Sequence, residues 1–398
     1  MVNLTEKRTC GDGLLKFTRV FCHLLLGLYF PYVSAADQTI DEAIRVIEQV
    51  GPGATGSESA RRACDQLAHA EAQTLPRLLI ALDTPNIVAA NWFRIAFDQI
   101  ADRELAMPNP QLPQAELEQY LRDSTRHGRA RRLTLTLLQR VDPTLRNRLL
   151  PDWLDDPEFR RDAVNYVLSQ GDREKEERRT DPARRHYENG FRHARESDQV
   201  LQAVDRLKSV GQDMDAVAHM GFVNRWWLVG PFPAPETTGF HAKFPPEKSV
   251  DLAAEYDAGD RAKLRWKLHQ STNPLGEVNL IQAIGPASEA VGYAFAEIDS
   301  AHEQSIQLRC SADDNISVWL NERQVLAREQ WLNGTRLDRF VTPVTLQQGL
   351  NRILVKICQG PPHTNPEAPN SWKFQLRFCD ETGGAAPFRN GLPLAKTE

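Results

Sequence analysis

The chain has 398 residues, 41% hydrophobic and 25% charged, the composition of a globular protein long enough for two or three domains. A formal net charge of -5 leaves no basic footprint, which argues against nucleic acid as a partner.

Lys7, Arg8, Lys16 and Arg19 flank the start of an apolar run, "VFCHLLLGLYFPYV", that ends in the small residues Ser34 and Ala35. This is the layout of an export signal, residues 1–36, with cleavage expected after Ala35 or Ala36. The run is shorter than the roughly 20 apolar residues a span requires. A periplasmic or extracellular protein with no stable membrane span is therefore expected, the alternative being an anchor that stays in place. Of six cysteines, Cys10 and Cys22 leave with the signal, and Cys64, Cys310, Cys358 and Cys379 remain. With no CxxC pair and no Cys/His cluster, neither structural zinc nor attached haem is expected.

From Asp37 the apolar spacing is helical. Ile40, Ala43, Ile44 and Ile47 follow the i, i+3, i+4, i+7 rule, and "GPGATGSES" then interrupts the chain. Further short helices follow, each bounded by Asp, Pro or Gly. In "DTPNIVAANWFRIAFDQIADREL", Thr84 is the expected N-cap and Pro85 the first helical residue. Ile87, Ala90, Asn91, Ile95, Phe97 and Ala101 trace no narrow stripe, so this helix is expected to be buried on more than one side. Such pairs, unable to bury a face alone, resemble HEAT-like repeats and imply an α-solenoid over residues 37–171. Residues 172–220 are highly charged and then amphipathic, with Ala183, Tyr187 and Phe191 spaced by four; a connecting helical hairpin is expected.

After Phe222 the pattern changes to short alternating strands with turn residues between them: "RWWLVGPF", "GYAFAEI", "SIQLRCS", "NISVWLN", "RQVLA", "NRILVKI" and "WKFQLRFCD". Many strands without intervening helices mean a sandwich or barrel. The expected fold class is thus multidomain α plus β: an N-terminal α-solenoid followed by an antiparallel jelly-roll-like β-sandwich over residues 221–382, with a flexible tail at 383–398. Trp226 and Trp227 face opposite ways in their strand, and at least one is expected to pack against the helical half.

Trp226, Gly230, Pro231, Phe232, Pro245, Pro246, Glu247, Trp319, Asn321, Gly349, Asn351, Lys356, Trp372 and Arg377 carry a resemblance. The chain is similar to a family of secreted bacterial proteins of poorly defined function. These join N-terminal HEAT-like helical repeats to a C-terminal galactose-binding-like β-sandwich. The resemblance implies that architecture and no particular activity, since such sandwiches serve as carbohydrate-binding modules, adhesion domains or spacers. One departure stands out. Relatives have Asn-Gly after the "VWL" strand, and this chain has Asn321-Glu322, for which a different turn is expected.

Candidate site residues cluster in the second half. In "SADDNISVWLNERQV" the residues Ile316, Val318 and Leu320 share one face, and Ser317, Trp319 and Asn321 the other. With the aliphatic face as core, Trp319 lies outside. There it either stacks on a sugar ring or is covered by the "REQWLNGTRLDRF" loop. That loop adds Trp331, Asn333, Arg336 and Asp338 to a candidate sugar site. Asp313 and Asp314 are candidate calcium ligands, although calcium requires six to eight oxygens; as an alternative, one of them caps the turn. Calcium is the sole cofactor these residues suggest. "NRILVKIC" and "WKFQLRFC" read as antiparallel neighbours, which places Cys358 and Cys379 at opposite ends of a ladder. Buried free thiols are expected, with a bridge through another strand order as the alternative.

No hydrolase, kinase or dinucleotide motif is present. The expected function is non-catalytic binding of carbohydrate or another cell-envelope polymer by the sandwich, with the helical repeats offering a surface to a protein partner. The rivals are a structural scaffold with no small ligand and an enzyme whose site lies at the domain junction.

Overall fold

The computed structural model describes residues 35–258, 263–331, 334–362, 365 and 370–390. The expected signal, apart from its last two residues, lies outside them. Among the described residues no helix is long and apolar enough to cross a membrane. Helices occupy the N-terminal part and antiparallel sheets the C-terminal part, and the chain divides into two compact units, Met1–Pro113 and Gln114–Glu398.

The first unit holds α1 (Ala35–Glu48), α2 (Ser57–Ala68), α3 (Leu75–Leu82) and α4 (Ile87–Leu105). Helix α4 corrects two expectations. Its N-cap is Asn86, whose side chain accepts from the amides of Val88 and Ala89 and whose Nδ2 donates to the Val50 carbonyl at 2.6 Å. It also buries one stripe, Ala89, Ala90, Phe93, Ala96, Phe97, Ile100 and Ala101. Ile87 and Ile95 are exposed (64% and 43%), so the helix is not buried on several sides.

The second unit opens with α5 (Gln114–Arg122), α6 (Gly128–Val141), α7 (Leu145–Leu149), α8 (Arg160–Glu176), α9 (Thr180–His193), α10 (Ser197–Lys208) and α11 (Ala216–Met220). Arg131, fully buried on α6, forks onto Asp156 at 3.0 and 2.6 Å, and Asp156 also caps the amides of Glu158 and Phe159 ahead of α8. Residues 172–220 are not a mere connector. Ala183, Tyr187 and Phe191 of α9 and Val200 and Leu207 of α10 bury against Val164 and Leu168 of α8. The same core takes in Met220, Phe222, Leu275 and Leu337, so it continues into the sheet region. The close approach of α8 to α9 depends on Gly171, where a Cβ would fall 2.5 Å from the Tyr187 ring.

The sheets are antiparallel. The larger has the order β4 (Lys267–Gln270), β1 (Arg225–Pro233), β6 (Ala290–Ser300), β11 (Gly349–Gln359), β8 (Ile316–Leu320), β9 (Arg323–Arg328). The smaller has the order β10 (Phe340–Leu346), β7 (Gln304–Ala312), β12 (Lys373–Cys379), β5 (Val278–Asn279). A two-stranded ladder, β2 (Glu255–Tyr256) with β3 (Leu264–Arg265), and the short helices α12 (Pro245–Lys248) and α13 (Leu280–Ile284) belong to connections. Strand alternation places Ile316, Val318, Leu320, Ile353, Val355 and Ile357 of the larger sheet in one core with Leu308, Cys310, Phe374, Leu376 and Phe378 of the smaller.

Three further expectations change. Trp226 points into this inter-sheet core, edge-on to Phe374 at 5.2 Å, while Trp227 lies on the opposite face; Phe222, ahead of the strand, joins the helical core instead. Strands β11 and β12 are not neighbours, because the connection after Gly360 carries the chain from one sheet to the other. The segment from Gly383 to Asn390 is not a free tail: Ala385 bridges Cys379, the Ala386 amide donates to Phe378, and β13 (Arg389–Asn390) pairs with β6.

Candidate functional site

The outer face of the larger sheet carries three rows of side chains in cross-strand register. Leu354 on β11 stands between Phe295 on β6 and Trp319 on β8. On one side of this row lie Arg352 and Glu297, and on the other Tyr293, Lys356 and Ser317. Residues on these strands alternate between core and outer face, so every second residue contributes to the rows.

The segment from Phe240 to Lys248 is clamped over the third row. Lys356, 2% exposed, donates to the Phe240 carbonyl at 3.2 Å, to the Ala242 carbonyl and to Glu247 Oε1 at 2.8 Å. Its three donors match three acceptors, as a buried ammonium requires. The Tyr293 hydroxyl donates to the same Glu247 oxygen. Burial, followed by the Glu247 carboxylate, pushes the Tyr293 hydroxyl far above the ordinary tyrosine value. Phe244 of this segment completes an aromatic layer with Phe232, Tyr256 and Trp266.

Beside the clamp is a cavity of about 290 Å³. Its floor is Phe295, Leu354 and Trp319; Pro246 to Val250 form one wall, and Arg352 and Glu322 the other. Arg352 is held by Glu297 at 3.1 Å and lies over the Phe295 ring, 5.7 Å from its centre. The cavity therefore offers an aromatic floor with carboxylate, ammonium and guanidinium groups at its rim, the mixture that recognises a molecule with both apolar and hydroxyl-bearing faces.

The sequence-predicted residues do not form one cluster. Trp319 is in the cavity, half-buried, with Pro246 to Val250 as the facing wall. Asn321 is structural. It and Glu322 both adopt positive φ, 50° and 68°, so the turn keeps the left-handed geometry of an Asn-Gly hairpin, contrary to expectation. The Asn321 side chain accepts from the Arg352 amide at 2.8 Å and donates to Asn351 at 2.9 Å, so both its oxygen and its nitrogen are engaged in holding the turn. Trp331 packs in the aromatic layer beside Gly360, where a Cβ would lie 3.2 Å from its ring. Asn333 is outside the described residues, and Arg336 is exposed.

Asp338 is on another part of the molecule. It accepts from Arg377 Nε at 2.8 Å and from Arg309 at 3.1 Å at the smaller sheet. Burial alone would raise its carboxyl, but Arg377 and then Arg309 hold it below the ordinary carboxylate value.

Asp313 and Asp314 are buried and face different partners. Asp314 accepts from the Gly360 amide at 2.8 Å, and Asp313 from the Ser371 hydroxyl at 2.6 Å. Burial pushes Asp313 up, partly offset by that hydroxyl. They act as caps on neighbouring segments, and among the described residues no group of three or more His, Cys, Asp or Glu is placed to hold a metal. The four cysteines among the described residues are free and buried, and burial pushes the Cys310 and Cys358 thiols up to about 12, which disfavours the thiolate there.

Glu247, Phe295 and Arg352 escaped the sequence reading as site residues. The one local signal was Lys356, a charge inside the apolar run "RILVKIC", which demanded a buried partner; that partner is 109 residues away.

No family model matches this chain, and neither does any curated protein sequence. Among solved structures, a family 2 β-galacturonidase from Eisenbergiella tayi aligns at 9% identity with a TM-score of 0.23, over 39% of this chain and 25% of that one. A β-glucosidase from Kluyveromyces marxianus aligns at 10% identity and 0.23, over 39% and 16%. A glycosyl hydrolase family 2 member from Bacteroides cellulosilyticus aligns at 13% identity and 0.24, over 40% and 20%. The aligned part is a quarter or less of each of those chains, and likeness at this level carries no argument about ligand or activity.

Proposed function

We propose that this is an exported, non-catalytic binding protein whose paired sheets form a galactose-binding-like, jelly-roll-like sandwich that holds a sugar unit of a cell-envelope polymer in the Trp319 cavity. The helices, as HEAT-like pairs of an α-solenoid, give it a protein-binding surface. The observation that carries the reading is the row Phe295–Leu354–Trp319, rimmed by Glu247, Lys248 and Arg352. A partly exposed indole offers an apolar face to the C–H face of a sugar ring, and charged groups at the rim meet its hydroxyls. The volume, about 290 Å³, is at the small end of the ~300–1,000 Å³ range of ligand pockets and suits one ring, not an extended chain.

The test is binding of the full chain to a broad panel of immobilised glycans, beside Trp319→Ala and Trp331→Ala, each checked for an unchanged melting transition. Binding that Trp319→Ala weakens about tenfold or more, while Trp331→Ala keeps it, supports the cavity. Silence across the panel, or equal binding by Trp319→Ala, removes the sugar reading. The scaffold reading then stands, and the saturation of Lys356 by three internal acceptors favours it in that case.

A further inference from the structure

A second cavity, of about 450 Å³, lies between the start of α8, the α9–α10 connection and the outer face of the smaller sheet. Its inner lining includes Arg160, Arg195, Arg309 and Arg377, with Glu196 and Asp338. Arg161 and Asp198 at its mouth neutralise each other through a fork at 3.0 and 2.5 Å. Four guanidinium groups against two carboxylates leave an excess of two positive charges.

The excess is not spread evenly. Arg377 and Arg309 share Asp338, and Arg377 also donates to the carbonyls of Met220 and Gly383, both at 3.1 Å. Arg160 donates to the Thr382 carbonyl at 3.1 Å, and its closest carboxylate oxygen, on Glu196, is 3.7 Å away, beyond hydrogen-bond distance. Arg195 donates to the carbonyls of Arg192 and Ala194 and, among the described residues, has no ion pair. Asp380 and Asp155, outside the lining, act on Arg195 at longer range without an ion pair, and Asp380 Oδ1 takes the Thr382 hydroxyl and the Gly384 amide. The Nε groups of both Arg160 and Arg195 are buried without a hydrogen-bond partner, as is one Glu196 oxygen. An unpartnered buried N–H carries its full desolvation cost, and two such donors on adjacent cations compound it. Burial first, and then the charge of Arg160, hold the Arg195 guanidinium below its ordinary value.

We propose that this cleft binds a phosphate or sulfate group, held between Arg160 and Arg195. A tetrahedral oxyanion supplies the two negative charges the lining lacks, and its several oxygens suit the planar forks of guanidinium groups. The cavity is larger than a free ion, so it also has room for the group that carries an esterified one. The site is separate from the Trp319 cavity and stands or falls independently of it.

The experiment is calorimetric titration of the full chain with sodium phosphate, sodium sulfate and methyl phosphate, at constant ionic strength kept with sodium chloride. Saturable binding is expected, weakened about tenfold or more in Arg160→Gln and in Arg195→Gln and unchanged in Arg61→Gln, an exposed arginine of α2. If Arg195→Gln does not fold, Arg160→Gln decides, because its guanidinium makes one hydrogen bond, to the Thr382 carbonyl, beside a long ion pair with Glu196. Tighter binding of methyl phosphate than of the inorganic ions assigns the site to an ester, and the reverse assigns it to the free ion. No saturable heat up to about 10 mM above the chloride control, or the parent's affinity retained in both arginine variants, overturns the proposal.

Discussion

Arg377 follows Leu376 and precedes Phe378, both of which face the inter-sheet core, so its side chain leaves the smaller sheet on the other face. There it is 2% exposed and paired with Asp338. Asp338→Ala leaves that cation buried without its carboxylate, and a loss of about 3–5 kcal/mol is expected in urea unfolding at neutral pH. The folded Asp338 carboxyl titrates below its ordinary value, so its contribution is complete above the unfolded value of 3.8 and is lost as the pH falls through the folded value. His219 has the opposite chemistry. Its ring lies 4.1 Å from Phe191 and its Nε2 is 2.9 Å from the Ala194 carbonyl, and burial holds its pKa below 6.5. The unfolded chain therefore takes up this proton first. Stability from the neutral ring is full above pH 6.5 and falls as the pH drops toward the folded value. Comparing unfolding of the parent and His219→Gln between about pH 7.5 and 5.5 should show a steeper slope in the parent, since His269, also held below 6.5 by burial, titrates in both. At the β8–β9 turn, Glu322 holds a left-handed conformation that glycine adopts without strain. Glu322→Gly should stabilise the protein by about 1 kcal/mol, read as a higher denaturation midpoint.

At the scale of elements, the Lys356–Glu247 pair fastens the segment over the outer face of the larger sheet. Glu247→Gln keeps the shape but leaves the buried ammonium without a counter-charge. A loss of about 3–5 kcal/mol is expected, together with faster amide exchange in residues 240–248 than in β6 or β11. If exchange there stays at the parent's rate, the clamp does not depend on this charge. The elements themselves were largely readable from local pattern. Alternation marked most of the longer strands, and a spacing of four marked the buried stripe of α9. What misled was pattern without context. The apolar Ile87 and Ile95 look like core yet face solvent, and Thr84 looks like a cap yet stands two residues ahead of the residue that caps.

For the whole molecule, the boundary between compact units falls at Pro113, well before the change from helices to strands. The helices from Gln114 onward share a core with Phe222, Leu275 and Leu337. A fragment of residues 114–398 should therefore unfold in one cooperative transition. A fragment of residues 221–382 should aggregate or melt without cooperativity, because it exposes Phe222 and removes the Met220 and Gly383 carbonyls that Arg377 holds. Thermal melts of the two fragments check this, and a cooperative melt of the shorter one would return the boundary to the helix–strand transition.

The sequence by itself determined what depends on neighbours within a turn or a strand: the helical first half, the stranded second half, the inward face of Ile316, Val318 and Leu320, and Trp319 on the opposite side. Only the tertiary structure decided which strands are neighbours, where Asp338 goes and what meets Lys356. The reason is range. Periodicity is written over about ten residues, whereas Asp338 and Arg377 are 39 residues apart, Glu247 and Lys356 109, and Met220 and Arg377 157. Those pairings follow from the order in which the strands assemble, to which a one-dimensional pattern is blind. The candidate site inherits that division, with its tryptophan visible in the sequence and most of its lining brought from three distant segments.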